Sequence, residues 1–272
     1  MALADDLKDY IAKNSVNKTD ISEKHDVAIV GETHEFLQGG AAIRTQATVR
    51  LLLELLADIK YRYFANESYM NKGRARRGVR QYLKTTTLPP EFDPKAAGTD
   101  ADEIMERVMV RRFQEVLDFL RANPRYILSI GSLVHGDGRD ARLAQHFLEE
   151  MEDRKLSRHV PGVVLLGSFH AAAVSDRAGK TTRMLLEDRG FTCVSVRVLT
   201  DFGEAGNFDD AVAPVGNLAD IIRLGSLVSK SPVTIPTNRP WGAKPSPFQQ
   251  VSLRDSANSV AAQFEYLVIQ KG

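Results

Sequence analysis

The chain alternates short apolar runs with longer stretches of helical spacing. Residues 27–31, Val-Ala-Ile-Val-Gly, are apolar without a break and end on glycine, which predicts a strand buried on both faces. Tyr61 to Asn66, Tyr126 to Ile130, Val163 to Leu166 and the alternating Thr192 to Leu199 predict four more strands. Between them, 41–58 carries Ile43, Ala47, Leu51 and Leu55 near one helical face. Segments 74–84, 101–122, 139–153 and 178–189 also predict helices, with 101–122 stopped before Pro124 and 178–189 closed by Gly190. Residues 85–100 hold Pro89, Pro90, Pro94 and Gly98 and predict a loop.

Strand and helix in alternation argue a three-layer αβα fold with a mainly parallel sheet. After about residue 200 the pattern weakens. Segment 201–217 is rich in Gly and Asp, and 231–248 holds five prolines and Trp241. Phe264 to Ile269 is expected to return as an edge strand. The expectation is therefore a single domain over 1–272, its core at about 25–200, with 201–272 an irregular third that acts as a lid or pocket wall.

In a parallel sheet, ligands bind beyond the carboxyl ends of the strands. The residues that follow each apolar run are therefore the candidates. Glu32-Thr33-His34-Glu35 follow the first run, and Glu67, Ser68 and Tyr69 the second. His135, Asp137, Arg139 and Asp140 follow the third, and Ser168-Phe169-His170 the fourth. Four strands thus deliver ionisable groups, with three of the six histidines, to one edge. Whether they meet depends on strand order. In an extended chain residues 32 and 34 share a side, so a carboxylate there can fix the tautomer of His34 and raise its basicity for general-base work. The same pair, with Glu67 and His170, is alternatively a ligand set for a divalent metal.

Composition narrows the field without deciding it. Charge is balanced, 36 basic against 35 acidic residues, which gives no footprint for nucleic acid. No apolar run reaches the roughly 18 residues of a membrane span, and the N-terminus, with Asp5, Asp6, Lys8 and Asp9, does not read as a secretory signal. Cys193, the one cysteine, lies in an apolar alternating run and reads as core. A cytoplasmic protein without membrane association is the expectation. Lys72, Arg74, Arg76, Arg77 and Arg80 read as a solvated helix face. Gly39-Gly40 allows close approach of the backbone to a ligand or serves a turn. P-loop, dinucleotide and GxSxG signatures are absent.

Gly31-Glu32-Thr33-His34 resembles the GExH motif of the superfamily that contains erythromycin esterases, ChaN-like haem-binding proteins and, more distantly, Tiki-type proteases. Arg44 stands about where the esterases carry an arginine, and Asn66-Glu67 where relatives carry a glutamate. Arg139-Asp140 with Ala141 to Ala144 looks like the Arg-Asp motif of the ChaN group, and Gly167-Ser168-Phe169-His170-Ala171 like the second Gly-x-x-His motif. The resemblance spans about 25–200.

It implies His34 as the base, with Glu32 and Glu67 as its carboxylate partners. Arg44 would stabilise negative charge, and His170 would be a second acid/base or a ligand. Tyr69, His135, Arg139 and Asp140 would line the substrate site. The implied activity is hydrolysis of an ester or amide of a small molecule or peptide. The alternatives are a non-enzymatic haem or metal binder, with Tyr69 or Tyr82 as iron ligand, and a non-hydrolytic acid/base enzyme. The chain lacks the added helical bulk of macrolide esterases and the lipoprotein signal of exported ChaN-like proteins, which speaks against a macrolide substrate and against haem uptake.

Overall fold

In a computed structural model the described residues are 2–16, 21, 25–32, 46–58, 61–67, 74–87, 114–123, 126–130, 138–175, 178–201, 233–240, 242–252 and 257–271. They form one seven-stranded sheet. The strands are β1 (Val27–Glu32), β2 (Tyr63–Glu67), β3 (Tyr126–Ile130), β4 (Gly162–Gly167), β5 (Cys193–Asp201), β6 (Val233–Pro236) and β7 (Tyr266–Lys271). Their spatial order is β3-β2-β4-β1-β5-β7-β6. Six strands run parallel, and β6 pairs antiparallel with β7.

Alternate residues of each strand feed two separate cores, which makes the fold a three-layer αβα sandwich. Val27, Ile29, Tyr63, Ala65, Leu128, Val164 and Leu166 point to one face. There they meet α1 (Ala2–Asn14), α5 (Arg139–Asp153), the short α6 (Ser168–Ala171), α7 (Thr182–Asp188) and α8 (Val260–Gln263). Ala28, Val30, Phe64, Val163 and Leu165 point to the other face, against α2 (Gln46–Ala57), α3 (Arg74–Thr85) and α4 (Gln114–Ala122).

The expected strands are in place, and β3 and α5 have the predicted bounds. Within predicted helix 101–122, only 114–122 lies among the described residues, and the loop expected at 85–100 is described only to Thr87. The last expected helix starts later, at Thr182, because the Thr181 side chain accepts from the Met184 amide and caps it there. Gly190 follows that helix with φ +84°, a conformation glycine adopts without strain.

Two expectations need correction. β7 is not an edge strand: it lies between β5 and β6. The edge is β6, inside the proline-rich stretch, where antiparallel pairing leaves Pro236 at the strand's last position and so tolerates it. The core accordingly extends past residue 200, with Ile235, Leu267 and Ile269 fully buried. Residues 202–232 and Trp241 lie outside the described residues. Among the described residues, no helix is long and apolar enough to cross a membrane.

At the amino end of the sheet the Tyr63 ring lies over Gly162, its partner on β4, and packs on Phe147 at 5.8 Å between centroids. Its hydroxyl is buried without a hydrogen bond among the described residues, and burial pushes its pKa far up. An unmade buried hydrogen bond costs about 1–3 kcal/mol. Tyr63→Phe should therefore keep the fold and raise stability by about 1 kcal/mol, read as a higher urea midpoint at an unchanged slope.

Candidate functional site

The strands that carry the candidate residues are immediate neighbours, in the order β3-β2-β4-β1. With adjacent strands about 4.8 Å apart, the carboxyl ends of β2 and β1 are separated by roughly 10 Å, with β4 between them. Glu32 ends β1 in register with Gly167, the last residue of β4. His34, Glu35, Arg44, Tyr69, His135 and Asp137 lie outside the described residues, as does the side chain of Glu32.

Glu67 ends β2 and is buried, 2% exposed. Its Oε1 accepts from an Arg139 guanidinium nitrogen at 2.6 Å, and its Oε2 from the Gly167 amide at 2.9 Å. A buried carboxylate without partners would be costly, and the Arg139 guanidinium and the Gly167 amide supply two. Arg139 opens α5, so the arginine and the aspartate after it are delivered to the sheet edge by the same helix start.

Asp140 makes the second contact. Its Oδ1 accepts from His170 Nδ1 at 2.9 Å, from the Thr182 amide at 2.5 Å and from Thr182 Oγ1 at 2.7 Å. Burial alone would raise the Asp140 pKa. The His170 hydrogen bond and charge, with the two Thr182 donors, outweigh it and hold the carboxyl below the usual range. An ionised carboxylate only accepts, so Nδ1 is the donor, and a neutral His170 keeps its lone pair on Nε2.

The two pairs are joined twice over by the chain. Arg139 and Asp140 are consecutive, and Gly167, which donates to Glu67, is the residue before α6, the helix that carries His170. A glutamate, a guanidinium and an aspartate-backed imidazole therefore share the carboxyl edge of β2 and β4. Such a set can hold a negative group near Arg139 and move a proton at His170 Nε2.

Asp140 also sets a pH dependence. Its folded pKa is lowered, so the stability it contributes is present above the unfolded value and is lost as pH falls through the folded one. The advantage of the wild type over Asp140→Asn in urea unfolding should hold at neutral pH and shrink below about pH 4.

Arg197 on β5 belongs to the same row of the sheet. It pairs in register with Gly31, which pairs with Leu166, and it is fully buried on the face that carries Glu67. The sequence did not single it out, because an arginine inside an alternating strand looks like an outward-facing residue. Thr182 was missed for a similar reason: a threonine at a helix start reads as a cap.

Of the residues offered as a divalent-metal set, His34 and the side chain of Glu32 lie outside the described residues, and Glu67 accepts from the Arg139 guanidinium. Among the described residues no three His, Cys, Asp or Glu side chains gather as ligands. Tyr82 is not placed as a haem ligand: it is buried between α3 and α4, where its hydroxyl donates to Asp118 at 2.7 Å. Cys193 is a buried free thiol whose pKa is pushed up to about 12 by burial, with the Glu187 charge second, which leaves it protonated and inert at neutral pH. Of the basic helix face, Arg80 is exposed.

No protein-family profile matches the chain. No curated protein sequence matches it significantly. Among solved structures it is similar to one described as bacterial protein toxins (TM-score 0.41, 13% identity, 72% of this chain and 39% of that one). It is also similar to the type III effector HopBA1 (0.40, 13%, 70% and 82%). A third is RRSP, a MARTX toxin effector domain from Vibrio vulnificus CMCP6 (0.39, 14%, 72% and 38%). The chain thus spans well under half the length of the first and third. At these TM-scores the likenesses carry no conclusion about activity.

Proposed function

We propose that this chain is a hydrolase of the erythromycin esterase and ChaN-like kind, acting on an ester or amide of a small molecule or peptide. In this reading His34, with Glu32 beside it, activates a water molecule. His170 Nε2 takes or returns the second proton, and Arg139 and Arg44 oppose the negative charge that develops on the attacked carbonyl oxygen. Glu67 fixes Arg139 and the start of α6.

The observation that carries the reading is the strand order β3-β2-β4-β1. It makes neighbours of the four strand ends that bear the motif residues, and a sheet that interleaved β5 or β7 among them would have dispersed the set. The Asp140–His170 contact adds a reason to choose acid/base chemistry, since a carboxylate behind an imidazole fixes the tautomer a base requires.

The test is turnover of a panel of activated esters and peptide amides by the wild type and His34→Ala, with and without prior treatment by a chelator. The expected result is hydrolysis by the wild type that the chelator leaves intact and that His34→Ala loses. A folded His34→Ala variant with full activity, or no hydrolysis of either bond class by the wild type, overturns the reading.

A further inference from the structure

The backbone on either side of His170 is held at Gly167 and at Ala171, Ala172 and Ala173 by groups from β2, β5, the N-cap of α7 and α8. The Gly167 amide is tied to Glu67. The Ala171 carbonyl accepts from the buried Ser195 hydroxyl of β5. The Ala172 carbonyl accepts from Thr181 Oγ1 at 2.7 Å, and the Ala173 amide donates to the Gln263 carbonyl of α8 at 2.8 Å. With its backbone fixed this way, the freedom left to His170 is rotation and tautomer of the ring.

That freedom is governed at Asp140 Oδ1. Rotation of the Asp140 carboxylate would release His170 Nδ1, and what opposes rotation is Thr182, which sets both its amide and its hydroxyl on that same oxygen. Thr182 is fully buried, and its α7 is anchored to the C-terminal part of the sheet. The next residue, Arg183, makes two bonds of 2.6 Å to Glu265, and Glu265 also accepts from the Ser195 amide at 2.8 Å. Thr182 itself has no contact with His170 among these bonds, so any influence on the ring passes through Asp140.

We propose that Thr182 is a positioning residue for His170: by locking Asp140 it holds the imidazole as the Nδ1–H tautomer, with the Nε2 lone pair free. Its consequence for turnover rests on the acid/base reading of His170. The tautomer itself does not, so the two fail separately.

The experiment is nitrogen NMR of the full chain labelled at histidine, at an alkaline pH where the ring is neutral, with the His170 signal assigned through His170→Gln. Wild type and Thr182→Ser should give the Nδ1–H pattern alone. Thr182→Val, which keeps the shape and removes the hydroxyl, should give a mixture with the Nε2–H form. On any ester or amide the protein turns over, Thr182→Val should lower kcat about tenfold with KM unchanged, the size expected for one hydrogen bond to a charged group, and Thr182→Ser should restore it.

An unaltered Nδ1–H pattern in Thr182→Val overturns the proposal. If valine disturbs the fold, as judged by near-UV circular dichroism, Thr182→Ala takes its place under the same criteria. An Nε2–H pattern in the wild type overturns the proposal without any variant.

Discussion

Asp140→Asn should fold, lose a modest amount of stability, and turn over its substrate about 10²–10⁴-fold more slowly in kcat/KM, the range that general acid–base groups and their orienting carboxylates command. The asparagine fills the same space but carries an amide that can donate as well as accept. When the amide nitrogen faces the ring, Nδ1 must accept, the proton moves to Nε2, and the lone pair disappears from the reacting side. His170→Ala, which removes the ring, should cost at least as much. Steady-state kinetics of the two variants, alone and combined, check the expectation. Because both act on one proton-transfer unit, the double variant should be scarcely slower than His170→Ala alone. A fully active Asp140→Asn would separate the Asp140–His170 pair from the chemistry.

Much of this arrangement is legible in the sequence, and the limits have physical causes. A parallel strand is covered on both faces, so it shows as an uninterrupted apolar run, and β1, β3 and β4 are visible for that reason. The rule that ligands gather at strand carboxyl ends then selects Glu32, Glu67 and His170 without any coordinates.

Strand order is a different matter. It follows from how the helices pack, and no local pattern encodes it, so the 72-residue separation between Arg139 and Glu67 conceals a salt bridge of 2.6 Å. In sequence an aspartate at Asp140 reads equally as a stabiliser of the helix it opens and as a site residue. The structure shows no side-chain cap at the start of α5; the same Asp140 oxygen instead accepts from the Thr182 amide at the start of α7 and from His170. α1 is not among the elements predicted above, although Leu3, Leu7, Tyr10 and Ile11 keep the i, i+4, i+7, i+8 spacing of one helical face; of these, Tyr10 and Ile11 are fully buried. β6 escaped because a four-residue strand among prolines looks like a loop.

Gly162→Ala should be the most destabilising small substitution in the described sheet, although alanine ordinarily favours a strand over glycine. A Cβ built on Gly162 would lie 2.0–2.4 Å from three carbons of the Tyr63 ring, far inside van der Waals contact. Neither side can yield cheaply. The Gly162 backbone is tied by its amide to the Asp26 carbonyl at 2.8 Å and registered against both Val27 and Tyr63. The ring is fully buried, with Phe147 5.8 Å away and Phe191 a further 5.7 Å beyond Phe147. Relief therefore requires Tyr63 to leave its rotamer and displace an aromatic stack, which places the cost at or above the upper end of ordinary overpacking, about 3 kcal/mol. For a chain of this size that corresponds to roughly 6–12 °C in Tm. Pairing Gly162→Ala with Tyr63→Leu tests the cause as well as the size. If the ring is the obstacle, the second change should recover part of the loss, so that the double variant is more stable than the sum of the two single effects predicts. Strict additivity would mean that the alanine acts on the backbone of β4 and not on Tyr63.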